Sequence, residues 1–361
     1  MKMTRSVFAF LLTVILLLSM QTAASAAEET KAVRLTVLSA NVSGLPIPSV
    51  FSEDGKVVPK TQPILGGLLN ESGADIVCVQ EDFQFHNLLA GEMKSYPYST
   101  FTTGGIPVGS GLNIFSKYPI YNVEQVPWEK ANGILEAGAD ALTPKGFLKC
   151  TVDVQGVLLD VYDIHVDAYG SYEDCLAKKA QFIQLCTYID KYSAGRPVAI
   201  TGDMNVTLHS DIPSEFYPIM IQSAGFSDGW AEFCNGGIYF TGALSEEQTA
   251  FYNEKWGGYY WGKWDSVERL LYRDTDGVKI SATDFRYENY NDLAGQILTD
   301  HSMMIGELTL ETTDYMRPET ELQAPQKQPF AQRFVHAVKM VLRSLSLIFS
   351  DLLAKAAAAL S

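Results

Sequence analysis

Short apolar runs alternating with longer amphipathic stretches set the organisation of this chain from Val33 onward. Residues 33–42 (VRLTVLSANV), 74–80 (ADIVCVQ), 147–154 (FLKCTVDV), 157–166 (VLLDVYDIHV), 197–206 (PVAITGDMNV) and 268–273 (ERLLYR) are short runs with strand-like composition, and they predict strands. Val154-Gln155-Gly156-Val157 reads as the turn of a hairpin between two of them. Between Tyr172 and Tyr192 the apolar positions Leu176, Ala180, Ile183 and Thr187/Tyr188 recur at helical spacing, predicting an amphipathic helix packed on a sheet and stopped by Gly195-Arg196-Pro197. The glycine- and aromatic-rich region from Ile212 to Trp264 reads as long loops.

The two ends of the chain read differently from its body. Lys2 and Arg5 precede an apolar run from Val7 to Met20 and a small-residue site, Ala24-Ser25-Ala26, which is the layout of a secretory signal peptide over residues 1–26. A retained membrane anchor is the other reading, disfavoured by a run shorter than the ~20 residues of a span. The body then occupies residues 27–312, and residues 313–329, with Pro318, Pro325 and Pro329, resemble a linker. Residues 330–361 predict one amphipathic helix, with Phe334, Val338, Val341, Leu345, Ile348 and Leu352 on one stripe and Arg333, Lys339, Arg343 and Lys355 on the polar side. Such a helix can lie in a membrane interface, or it can dock on the body or self-associate.

Charge and cysteine usage narrow the picture. The formal net charge is −15, with two cations in the leader and a net +3 in residues 330–361, which leaves −20 on residues 27–329. A body this acidic is a poor general attractor for nucleic-acid backbones, although a local cationic site or a bound metal can reverse the field. The five cysteines (Cys78, Cys150, Cys175, Cys186 and Cys234) are odd in number and scattered, so they form no disulfide framework, and Cys78 sits in an apolar run as a buried hydrophobe.

Chemistry concentrates in five short motifs, most of them ending apolar strands. They are Leu38-Ser39-Ala40-Asn41-Val42, Asp75-Ile76-Val77-Cys78-Val79-Gln80-Glu81, Asp163-Ile164-His165-Val166-Asp167, Gly202-Asp203-Met204-Asn205-Val206 and Thr299-Asp300-His301-Ser302. Singly, each has a plain structural explanation as a turn, a cap or a core histidine. In this order they place oxygen and imidazole groups where the loops at strand ends can gather them.

That order resembles the endonuclease/exonuclease/phosphatase superfamily over Leu35 to about Leu310. Asn113 to Ile120 (NIFSKYPI) is similar to a strand and turn of that superfamily, and Asp140-Ala141-Leu142-Thr143-Pro144-Lys145-Gly146 ahead of His165 is similar to a segment of its sphingomyelinase branch. The resemblance implies an α/β fold, a four-layer α/β/β/α sandwich of two mostly antiparallel sheets. It also implies a Mg²⁺-dependent phosphodiesterase, with Mn²⁺ or Ca²⁺ as alternatives. Hard oxygen ligands suit such an ion, so Asn41, Glu81 and Asp300 are the expected metal residues. Hydrolysis needs an activated water, donors to the phosphoryl oxygens and protonation of the leaving group. The roles implied are His301 as general base, Asp203 on the water or leaving group, and Asn205 and His165 on the phosphate. Where the superfamily has an aspartate that orients the base histidine, the best register here offers Glu268, with Asp265 as the fallback; Asp167 is expected to be structural or substrate-side. A secreted enzyme acting on a membrane phospholipid such as sphingomyelin is the leading expectation, with peripheral membrane contact through the C-terminal helix. A secreted nuclease, a phosphoinositide or other phosphomonoesterase, and a catalytically silent binding module are the alternatives. No protein partner is inferable.

Overall fold

A computed structural model describes residues 31–46, 57–134, 137–207, 215–240, 244–258, 262–313 and 315–360. The predicted signal peptide lies outside these residues. Twelve strands occur among them: β1 (Lys31–Asn41), β2 (Ile76–Gln80), β3 (Tyr98–Ser99), β4 (Asn113–Ser116), β5 (Ile120–Pro127), β6 (Gly146–Val154), β7 (Val157–His165), β8 (Val198–Asp203), β9 (Ser227–Asp228), β10 (Glu268–Arg273), β11 (Val278–Glu288) and β12 (Met303–Thr312). The helices are α1 (Val58–Glu71), α2 (His86–Ala90), α3 (Tyr172–Tyr192), α4 (Gly229–Cys234), α5 (Glu246–Trp256), α6 (Tyr290–Ala294) and α7 (Phe330–Leu360).

The strands form two six-stranded sheets, ordered β11-β12-β1-β2-β4-β3 and β5-β6-β7-β8-β10-β9. Each contains a single parallel pair, β1 with β2 and β7 with β8, and every other pairing is antiparallel. Period-two alternation explains how the sheets stack. Leu35, Val37, Ile76 and Cys78 face Cys150, Leu159, Val161, Ala199 and Leu270 in a core between the sheets. The opposite faces are covered by helices, with Leu65 and Leu69 of α1 on Leu38, Ala40, Val77 and Val79, and Phe182, Leu185 and Ile189 of α3 on Tyr162, Ile164, Val198 and Ile200. The result is the expected α/β/β/α sandwich.

Local expectations fare unequally. Val154 pairs with Val157 across a hairpin turn whose central residues, Gln155 and Gly156, both have positive φ (52° and 101°). Helix α3 has the predicted bounds and is opened by a Ser171/Asp174 capping box, but it buries another face. Leu176 and Ile183 are exposed, while Lys178, Gln181, Phe182, Leu185 and Ile189 are buried. The stripe that meets the sheet includes polar residues with loop partners, which a purely apolar pattern passes over. The Ile212–Trp264 region, expected as loops, holds a π-helical turn (Tyr217–Ser223), α4 and α5, the last capped by Ser245 and Gln248 at one end and Gly257 in the left-handed region at the other. All five cysteines are free.

Beyond β12, residues 315–329 hold no helix or strand and lie against the body through Arg317–Asp153 (2.8 Å) and a backbone bond from Asn122 N to Gln323 O (2.9 Å). Helix α7 follows. Its inner side reaches the protein through Arg343 to Ala141 O (3.0 Å) and Ser344 to Leu142 O (3.3 Å), whereas Phe334, Leu342 and Phe349 are 58–64% exposed. Among the described residues no helix is long and apolar enough to cross a membrane.

Candidate active site

The alternation that fills the core also delivers the polar cluster. Val37, Ser39 and Asn41 lie on one face of β1, Val161, Asp163 and His165 on one face of β7, Ala199, Thr201 and Asp203 on one face of β8, and Leu270 and Glu268 on one face of β10. Each series begins in the core between the sheets and ends in a candidate residue at one end of the sandwich. Register lines them up, with His165 opposite Asp203, Asp203 opposite Glu268, and Asn41 opposite Gln80. Glu81 follows Gln80 and turns in the left-handed region at φ 58°, as does Asn205 at φ 48°. Such conformations in residues other than glycine are uncommon and collect at functional sites. Gly202, at φ 137°, is required by close approach, since a Cβ there would sit 2.1 Å from Ile164 O of the parallel neighbour.

The side chains meet as follows. Asn41 Nδ2 donates to Glu81 Oε1 (3.2 Å) and Asp203 Oδ2 (3.1 Å), while its Oδ1 accepts from Ser43 N (3.0 Å). The amide thus clamps the two carboxylates together. His165 Nε2 lies 3.5 Å from Asp203 Oδ2. His301 Nδ1 lies 2.5 Å from Glu268 Oε1 and 4.0 Å from Asp203 Oδ2. Asn205 donates its backbone N–H to Asp203 Oδ1 (3.0 Å) and its side chain to Val166 O (2.9 Å). Thr299 Oγ1 ties the His301 loop to Asn41 O (2.8 Å) and accepts from His301 N (3.2 Å). Asp203, Glu268 and His301 bring three potential metal-ligating atoms within 4.8 Å of one another, although the His301–Glu268 hydrogen bond makes that pair an oriented imidazole.

Electrostatics separate the two histidines. Burial, with Lys145 adding to it, pushes His165 down to about 3, so its ring is neutral. Burial also opposes a charge on His301, but the Glu268 carboxylate, then Asp203 and Asp300, raise it to about 10. Asp203 is held below the ordinary range despite burial, because His301 and Lys145 lie beside it and the Asn41 amide donates to it. Glu81 is the opposite case, raised chiefly by desolvation and further by Asp300, with Lys145, His301 and the Asn41 amide only partly offsetting this. A carboxylate crowded in this way beside a second one, exposed Asp300, fits a hard divalent cation, which would relieve both.

Of the residues the sequence singles out, Asn41, Glu81, His165, Asp203, Asn205, Glu268 and His301 converge, with Asp300 at the rim. Asp265 is buried and points toward Arg269, 3.8 Å from Nη1, leaving Glu268 to face His301. Asp167 is buried and accepts from Asn132 N (2.6 Å) and Gln181 Nε2 (2.6 Å), knitting loops rather than entering the cluster. Lys145 is the residue the motif search leaves out. It is nearly buried and paired with Asp140, and Asp140, then Glu81 and Asp203, raise its pKa against the opposing effect of burial. Its signal was present in the Asp140-to-Gly146 segment, where it reads as sequence likeness and not as chemistry. Beneath the site, Gln80 Nε2 donates to Asp163 Oδ1 (2.6 Å), and burial raises the Asp163 carboxyl well above its ordinary range.

Residues 38–271 match the Endonuclease/Exonuclease/phosphatase family, a span that contains Asn41, Glu81, Lys145, His165, Asp203 and Glu268. The chain belongs to this family. Proteins named sphingomyelinase from Mycobacterium bovis and Mycobacterium tuberculosis are 26% identical to it over 279 residues, covering 74% of this chain and 51% of theirs. The chain thus spans about half the length of the curated relatives it matches. Among solved structures, sphingomyelinase C from Streptomyces griseocarneus superposes with a TM-score of 0.50 at 20% identity, covering 76% of this chain and 99% of that one. A D. rerio TDP2 complex with a single-strand DNA product gives 0.54 at 13% identity, covering 76% and 98%. Likeness at this identity shows the fold. The family that the match shows is one of endonucleases, exonucleases and phosphatases by its description.

Proposed function

We propose that this family member is a secreted, Mg²⁺-dependent phospholipid phosphodiesterase acting on sphingomyelin. The observation that carries the lipid reading is the 26% identity to sphingomyelinases over 74% of the chain, an aligned length that takes in most of the catalytic body. The Asp140–Lys145 pair packed beside the catalytic cluster supports it, and export is supported by the leader-like N-terminus. Helix α7 adds a means of reaching the substrate, because its apolar stripe faces outward with Arg333 and Lys339 beside it.

In this reading Glu81, with Asn41 and Asp300 beside it, holds the cation, which supplies charge neutralisation at the phosphoryl oxygens when bound. The chain's own groups do the rest. His301, which the Glu268 carboxylate holds charged up to about pH 10, would act as base in the neutral form that the charge of a nearby cation favours, with Nδ1–H donated to Glu268 and Nε2 presented to the attacking water. Asp203 orients that water or serves the leaving oxygen, and neutral His165 and the Asn205 amide bind the phosphoryl group. The test is hydrolysis by residues 27–361 of sphingomyelin liposomes, phosphatidylcholine liposomes, plasmid DNA and inositol phosphates, each with an EDTA control. Metal-dependent phosphocholine release from sphingomyelin is the expected result; DNA nicking alone transfers the function to a nuclease.

A further inference from the structure

A cavity of about 610 Å³ opens beside the catalytic cluster under the C-terminal tail. Its apolar lining comes from Phe101, Val108, Trp128, Leu148 and Met340, with Trp128 and Leu148 nearly buried as its floor. Its basic lining is Lys145, Lys327, Arg333, His336 and Arg343. Among the described residues no aspartate or glutamate lines it, in a chain whose net charge is −15. Lys327 and Arg333 make no ion pair among the described residues, so their charge is available to a ligand. An apolar cavity with unpaired cations at its mouth and no carboxylate in its described lining recognises an anion that carries a hydrocarbon part.

We propose that this cavity is a second ligand site, distinct from the catalytic cluster, that takes one anionic lipid from a membrane surface. The head lies among Lys327, Arg333, His336 and Arg343, and the chain runs over Trp128, Leu148, Val108 and Met340. The position of the roof favours a lipid over a soluble anion. Helix α7 supplies Arg333, His336, Met340 and Arg343 to the cavity from one side and turns Phe334, Val338, Val341 and Leu345 to solvent on the other. A surface that apolar and cationic places the mouth at a bilayer. The site also touches the catalytic cluster. Lys145, the partner of Asp140 beside that cluster, lines the cavity, and Trp128 Nε1 donates to His165 O (2.7 Å).

The proposal does not depend on what the enzyme hydrolyses, so its test reads binding and not turnover. Residues 27–361 are titrated by calorimetry with dodecyl phosphate below its micellar concentration, with dodecyl maltoside carrying the same chain on a neutral head, and with inorganic phosphate carrying the head alone. Dodecyl phosphate is expected to bind at one site at least ten-fold more tightly than either control. The paired substitution Lys327→Gln/Arg333→Gln, at exposed positions outside the catalytic cluster, is expected to weaken it about ten-fold with an unchanged melting temperature. Equal binding of dodecyl maltoside would make the cavity a general detergent site, and equal binding of inorganic phosphate would make it a small-anion site. Either result, or wild-type affinity in the paired variant, overturns the proposal. Loss of all sphingomyelin hydrolysis alongside retained dodecyl phosphate binding would remove the substrate assignment and leave this site standing.

Discussion

His301 Nδ1 and Glu268 Oε1 lie 2.5 Å apart, although 33 residues separate them in sequence. Glu268 opens β10 opposite Asp203 and is fixed by a hydrogen bond from Ser266 and by Tyr287 donating to its backbone carbonyl (3.1 Å), so the carboxylate has little freedom to follow a moving ring. Glu268→Gln keeps an acceptor in place and removes the charge that raises His301. The expected result is a fall in kcat of about 10²- to 10⁴-fold with little change in KM, together with a lower His301 pKa by NMR. Glu268→Ala should cost at least as much. Wild-type kcat in either variant would remove Glu268 from the mechanism.

Glu81 offers a test of metal binding that does not need turnover. Its carboxyl is held above the ordinary range by desolvation and by Asp300, so in metal-free protein it is a source of repulsion. Glu81→Gln in EDTA is therefore expected to melt at or above the wild type. Adding Mg²⁺ at a hundred times its dissociation constant should stabilise the wild type by ~2.7 kcal/mol and leave the variant nearly unmoved. A Mg²⁺ response of equal size in both proteins would show that the ion sits elsewhere.

How much of this was legible in the sequence depended on which force placed each residue. Asn41, Glu81, His165, Asp203 and His301 could be read because each lies at or next to the end of an apolar strand, where alternation and position together set the side chain's direction. The buried face of α3 could not, because Lys178 and Gln181 are inside for their loop partners, Asn205 O (2.8 Å) and Lys130 O (2.7 Å), which come from distant parts of the chain. Lys145 escaped for the same reason, since a buried cation makes sense only beside Asp140 and the carboxylates it serves. The helices α4 and α5 were hidden in a glycine- and aromatic-rich composition, although Ser245 and Gln248 form a capping box that was present to be found.

The Asp140–Lys145 pair predicts a stability coupling. Both side chains are nearly or fully buried, and Asp140 Oδ2 also accepts from Ala168 N (2.7 Å), so the pair joins the segment before β6 to the loop after β7. Lys145→Met strands a buried carboxylate and should cost about 3–5 kcal/mol in urea unfolding. Asp140→Asn removes the charge but retains one acceptor, and should cost less. The double variant is expected to be more stable than the sum of the two losses implies, because neither charge is left alone. Additive losses would mean that the two groups do not stabilise each other in solution.

His165 predicts the pH dependence of stability. In the folded chain burial holds its pKa near 3, whereas in the unfolded chain it titrates near the ordinary 6.5. Between these values the unfolded state binds a proton that the folded state refuses, so stability is fully present above pH 6.5 and declines as the pH falls through this window. At 1.36 kcal/mol per pKa unit, the loss from this one group amounts to roughly 5 kcal/mol at most by pH 3. His165→Gln cannot titrate, so its unfolding free energy should fall less steeply between pH 6.5 and 4 than that of the wild type, even though the variant starts less stable at pH 7. Urea unfolding at half-unit pH steps measures both slopes. Parallel curves for the two proteins would mean that His165 is protonated in the folded state, and its assignment as a neutral donor to phosphate would fall with that result.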